Sequence, residues 1–272
     1  MATHANTTPN GSRNPILNPV SQHYDERMYL RLTKEFYGGT DFFNYGYWLP
    51  GTRSAGAASC NLMEELLALI PHKHGSILDV ACGLGATTHH LKKYYDETRT
   101  VGVNISPIQI ETCRAKFPKC KFLVMDSVHL AFKDQSFDAV ICVEAAFHFK
   151  TREKFLREAH RVLRPGGYLV ISDIAYETWI EVSSPALFIE NHINSTNDYR
   201  NLLERSGFTR IVVRDVLQET WIRYASHLIQ FLRGKLAHGE IKVVDFNKAM
   251  FNLRRYLIPG IKGYLIAAGQ KP

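Results

Sequence analysis

No apolar run in the 272 residues approaches the roughly 18 consecutive positions that a membrane-spanning helix needs, so no transmembrane segment is expected. Cysteine is scarce and unpatterned: five residues, at 60, 82, 113, 120 and 142, odd in number and without a Cys-x-x-Cys spacing. That argues against a disulfide framework and against thiolate metal sites, and points to reduced thiols in a cytoplasmic protein. The 12 histidines are scattered, and the adjacent His89 and His90 would point about 100° apart on a helix, so no metal site is indicated. A net charge of +7 comes without long basic runs; the short pairs Lys92-Lys93 and Arg254-Arg255 lie beside apolar residues on helical stretches, so a nucleic-acid partner is not expected. Internal repeats and low-complexity tracts are absent. The first twenty residues, rich in Asn, Thr and Pro, carry no apolar segment of the kind a secretory leader has, and residues 1–20 are expected to be a disordered tail. With 45% hydrophobic and 22% charged residues the remainder has a globular composition, long enough to bury a sizeable core as one domain with an appendage or as two.

The most informative stretch is residues 77–88. Ile77, Leu78, Val80, Ala81 and Cys82 show no polar alternation, which predicts a strand covered on both faces, as in parallel sheets. Gly83 and Gly85 then allow a sharp turn and close approach of backbone to a ligand before a helix over 87–95. A dinucleotide loop would want a third glycine at 88, where Thr88 stands. The carboxylate of Asp79, facing the loop, suits an ammonium better than a phosphate, so an amino-acid-bearing nucleoside is the better ligand.

Ahead of this strand, residues 21–48 crowd nine rings, from Tyr24 to Trp48, into a helix over 25–37 broken by Gly38-Gly39 and an ordered turn around Asn44. An amphipathic helix is predicted over 59–70. Further strands are expected at 99–104, 120–125, 137–143, 168–172 and 208–216, with helices over 151–163 and 197–206. Residues 217–256 have helical apolar spacing and read as an added hairpin, and a last strand lies within 257–272.

The pattern Leu-Asp-Val-x-Cys-Gly-x-Gly, at residues 78–85, resembles motif I of the class I S-adenosylmethionine (SAM) dependent methyltransferases. Phe137-Asp138 with Val140 is similar to that family's fourth-strand motif, and Arg161 to Gly167 to the turn after its next helix. Gly102 to Gln109 is similar to a variant found in cyclopropane-synthase-like and natural-product members. The resemblance covers about residues 24–176. It implies SAM as cofactor, with contacts from Asp79, Gly83 and Gly85; from Asn104, Ile105 and Gln109 at the ribose, where Asn104 departs from the acidic residue usual there; from Asp126 and Ser127 at the adenine; and from Tyr24, Asn44 and Glu144. By position, His148 and Asp173 match a base and its orienter in sugar O-methyltransferases.

The implied fold is α/β, a doubly wound, mostly parallel seven-stranded sheet of the Rossmann-like methyltransferase type, whose last strand returns antiparallel between strands 5 and 6. The expected division is a flap over 21–58, a SAM-binding core over 59–216 and 257–272, and a helical cap over 217–256. The implied function is methyl transfer to O or N, or C, of a small natural-product acceptor, in the cytoplasm, with a homodimer left open. A lipid or isoprenoid methyltransferase and a noncatalytic SAM-binding subunit are the alternatives.

Overall fold

Strand β1 (Ile77–Val80) is buried at all four positions and β4 (Phe137–Val143) at six of seven, as expected for strands covered on both faces. The computed structural model describes residues 19–184 and 186–272. β1 runs parallel to β2 (Thr100–Asn104) on one side and to β4 on the other. β3 (Lys121–Val124) extends the sheet beyond β2, and β5 (Leu163–Tyr176) extends it beyond β4. The last strand, β7 (Ile261–Gln270), is antiparallel to both β5 and β6 (Thr209–Asp215) and lies between them, giving the order β3-β2-β1-β4-β5-β7-β6.

Helices cover both faces. On one, α3 (Ala55–Leu67) buries Leu62, Leu66 and Leu67 in a core with Ile77, Ile141, Val170 and Tyr264. On the other, α6 (Arg152–Val162) and α8 (Thr196–Arg205) bury Phe155, Leu156, Leu202 and Leu203 against Leu78, Val80 and Val140. Helix starts follow local chemistry: Ser54, Thr151 and Ser195 each accept from a backbone amide three residues on. α5 (Pro107–Lys116) combines a Ser106 cap with proline in its first turn. α4 (Ala86–Leu91) follows the glycine loop, shorter than the helix over 87–95 expected there.

The stretch expected to be one helix over 25–37 is two, α1 (Pro19–Met28) and α2 (Arg31–Phe36), separated at Leu30 in extended conformation. The break lets α1 lie over the carboxyl edge of the sheet while Phe36 turns to pack on Phe231 and Tyr224 of α9 (Arg223–Ala237). α1 also takes up positions 19 and 20 of the expected tail; residues 1–18 lie outside the described residues. β5 starts at Leu163 rather than 168 and runs on to Tyr176, so Asp173 sits inside the strand and not after it. The extension to Tyr176 follows from long antiparallel pairing with β7, from Tyr168 opposite Gln270 to Tyr176 opposite Ile261, and the early start from Leu163 pairing with Phe137 of β4. α7 (Thr178–Ser183) follows. The hairpin before β7 is formed by α9 and α10 (Val243–Asn252), and α9 packs on the aromatic segment, with Trp48 stacked on His227 at 4.0 Å between ring centroids.

Candidate active site

The strand order reverses between β1 and β4, so the connections leaving them diverge and open a crevice at the carboxyl ends of the strands. A cavity of about 370 Å³ lies there. Its floor is made by the ends of β1, β2 and β4, and α1 closes it from above through Tyr24 and Met28. Ala81 and Glu144, which follow β1 and β4, both line it and both hold left-handed backbone, at φ 63° and 49°. Strain of that kind in residues with a Cβ is tolerated where the surroundings over-determine it, and it gathers at ligand sites.

The motif loop divides into two roles. Gly83, at φ +54°, lines the cavity, where an added Cβ would stand 3.2 Å from Met28 Cε and 3.9 Å from Gln109 Oε1. Gly85 does not line it. Its φ is +85° and an added Cβ would meet Cys113 Sγ and the Phe117 ring, each at 3.0 Å, so a glycine is needed there for the turn and for packing against α5. Asp79 lies behind the cavity wall: one oxygen accepts from the hydroxyls of Thr87 and Thr88, both at 2.6 Å, and pins the start of α4. Its other oxygen is buried without a partner, and burial raises the carboxyl to about 6.

Asn104, Ile105, Gln109, Asp126 and Ser127 all border the cavity. Asn104 Nδ2 donates to Gln109 Oε1 at 2.7 Å, which joins the two expected ribose-side residues directly. The Asp126 side chain is half exposed at the rim, accepting from Val128 N at 3.1 Å. Asn44 is buried next to Phe43, which lines the cavity, but is not itself part of the wall; its backbone carbonyl accepts from Tyr37 and its Oδ1 has no partner.

Glu144 and His148 approach from the end of β4. Glu144 Oε1 accepts from Tyr45 N at 2.6 Å and from the Tyr264 hydroxyl. Burial pushes this carboxyl up to about 8 despite those two donors. His148 Nδ1 lies 2.8 Å from the Ala186 carbonyl, which can only accept, so the ring proton sits on Nδ1. The lone pair of Nε2 therefore accepts from the Tyr24 hydroxyl at 2.8 Å. Burial lowers the imidazole to about 4, and the ring is neutral at pH 7.

Asp173 does not orient His148. It is fully buried and accepts from Arg152 Nε at 2.7 Å, Tyr199 Oη at 2.9 Å and Phe147 N at 3.1 Å. A neighbouring guanidinium outcompetes a neutral imidazole for the carboxylate, and Asp173 reaches His148 only through the backbone of the turn that carries it. Met28 and Tyr264 were not singled out from the sequence, and Asp25 and Ser106 stand within the motifs at 24–25 and 102–109 without having been given a role, although all four touch the cavity or its wall residues. Asp25 had one local signal, its place beside Tyr24. Tyr264 had none, being 120 positions from Glu144. Among the described residues no group of His, Cys, Asp and Glu is arranged to hold a metal, and no helix is long and apolar enough to cross a membrane.

Residues 78–171 match the family described as methyltransferase domain. The O-methyltransferase cnsE of Penicillium expansum is 31% identical over 262 residues, covering 90% of this chain and 92% of the relative. The 27-O-demethylrifamycin SV methyltransferase of Amycolatopsis mediterranei is 26% identical over 280 residues, covering 95% and 98%. The crystal structure of a geranyl diphosphate C-methyltransferase from Streptomyces coelicolor, at 14% identity, superposes with a TM-score of 0.67 over 94% of this chain and 99% of that one, a likeness of fold. A sequence likeness that runs the length of both chains reaches well beyond the glycine loop and the sheet, and it settles the family: the chain belongs to the class I SAM-dependent methyltransferases and is an enzyme of that family.

Proposed function

We propose that the enzyme transfers the methyl group of SAM to a hydroxyl of a small natural-product acceptor, with His148 receiving the proton. The observation that carries this reading is the neutral tautomer of His148, whose Nε2 lone pair is turned toward the cavity and held there by Tyr24. The likeness to O-methyltransferases supports the choice of oxygen.

The residues present fit the cofactor. Gly83 leaves room at the loop, Asp79 behind it fixes the start of α4 through Thr87 and Thr88, and Asn104 with Gln109 can satisfy a ribose diol without a charge of their own. Asp126 and Ser127, which border the cavity, would hold the adenine. The bound sulfonium supplies an electrophilic methyl. The chain's part is alignment and exclusion of water: α1 and Phe43 close over the cavity, and the acceptor hydroxyl takes the place of the Tyr24 hydroxyl on Nε2. In this reading 21–58 is the closing flap, 59–216 with 257–272 the cofactor core, and 217–256 the cap that holds the flap. Five free thiols are in keeping with a cytoplasmic setting.

A nitrogen acceptor is the second reading, favoured by the buried Glu144 carboxyl, which would hold an ammonium among the rings of Tyr45 and Tyr264. Incubation with methyl-labelled SAM and a panel of phenols, sugars, amines and isoprenoid alcohols, read by mass spectrometry, should yield label on a hydroxyl or amine. Gly83→Val should abolish both product and S-adenosylhomocysteine binding by calorimetry, since its side chain enters the cofactor's space. Unchanged affinity in that variant, or label confined to isoprenoid carbon, would overturn the reading.

A further inference from the structure

The carboxyl end of β2 lacks a carboxylate. Asn104 stands where doubly wound cofactor-binding sheets place an acidic residue against the ribose. A carboxylate nonetheless reaches this corner from the other side of the crevice. Asp25, on α1, accepts through a single oxygen from Ser106 Oγ at 2.7 Å and from Gln109 Nε2 at 2.6 Å.

This contact sets the wall. A carboxylate can only accept, so the Gln109 amide must turn its NH2 toward Asp25, and its carbonyl then faces Asn104 Nδ2. Asn104 Oδ1 in turn accepts from Ile105 N at 2.9 Å. Both amides that border the ribose corner are thus oriented by a residue 84 positions from Gln109 in the chain. The same helix meets the site at two more points, through the Tyr24 hydroxyl on His148 and through Met28 Cε over Gly83.

We propose that Asp25 is a cofactor-positioning residue: it supplies from α1 the carboxylate that β2 lacks, so the ribose corner is complete only when α1 is closed, and cofactor and helix hold one another in place. The inference rests on the cavity being the SAM site. It also gives a reason for Asn104. The Gln109 amide offers its donors on one side only, so it can serve a carboxylate at Asp25 or one at the end of β2, and two would leave one unsatisfied and repelling the other.

The test is S-adenosylhomocysteine titration of the full chain by calorimetry, together with hydrogen exchange of α1 with and without that ligand. Asp25→Ala should weaken binding about tenfold, the scale of a lost charge-assisted hydrogen bond, and ligand should no longer slow exchange in α1. Asp25→Asn, which keeps the shape and one acceptor, should fall between that variant and the native chain in both readouts. The deciding variant is Asn104→Asp. Alone it should weaken binding, whereas in the Asp25→Ala background it should restore most of the affinity, because Gln109 can turn its amide to the new carboxylate. Helix protection should stay lost in that double variant. A merely structural Asp25 would show no such rescue, and absent rescue, or native affinity in Asp25→Ala, would overturn the proposal. A native chain that fails to bind S-adenosylhomocysteine would instead remove the cofactor reading on which the proposal stands.

Discussion

Replacing Glu144 by Gln should make the protein's stability less dependent on pH, with a gain that grows as pH rises from about 5 to about 8. Glu144 is raised from an ordinary 4.5 to about 8, chiefly by burial. Between those two values the folded protein holds a proton that the unfolded chain has already lost, so stability falls as pH rises through the window and levels off above about 8. At about 1.4 kcal/mol per pH unit, a rise from 4.5 to about 8 caps this contribution at roughly 5 kcal/mol. Gln is close in shape to the protonated acid, and its carbonyl can still accept from Tyr45 N and the Tyr264 hydroxyl, so little should change at pH 5. Urea unfolding of both proteins at pH 5, 7 and 9 measures the difference directly. The variant should match wild type at pH 5 and exceed it progressively at pH 7 and 9. A difference constant within about 0.5 kcal/mol across that range, the size of an ordinary surface substitution, would refute the burial argument.

Two further substitutions address the base and its support. His148→Ala should cut turnover roughly 10²- to 10⁴-fold while S-adenosylhomocysteine affinity barely moves; because burial lowers the imidazole to about 4, the limb lost from the pH profile should lie near pH 4, and a histidine-dependent limb near 6.5 would contradict the closed geometry. Asp173→Asn should destabilise the fold by about 3–5 kcal/mol in urea titrations, since it leaves the buried Arg152 guanidinium without a counter-charge, and a loss below about 1 kcal/mol would show that the pair is not what holds this turn.

The parts of this protein readable in advance are those encoded over short spans. A mostly apolar run, broken only by Asp79 and followed by Gly83, places β1 and its turn, because strand burial and left-handed backbone are decided within about ten residues. β4 falls on Phe137–Val143 as the pattern predicts, and the position of β7 between β5 and β6 follows from family resemblance. Boundaries moved where pairing partners, and not propensity, set the length, as in the extension of β5 to Tyr176 along β7. The site's chemistry was less accessible, since it depends on contacts between distant segments. His148 and Asp173 come from adjacent strands, yet whether they pair depended on Arg152 and Tyr199 claiming the carboxylate first, and on Tyr24 and Ala186 claiming the imidazole. Likewise, nothing near Asn104 indicates that Asp25 supplies the missing charge. Backbone conformation answers to neighbours in the chain, whereas a buried polar group takes whichever partner packing brings within about 3 Å, and that choice is made between layers of the fold.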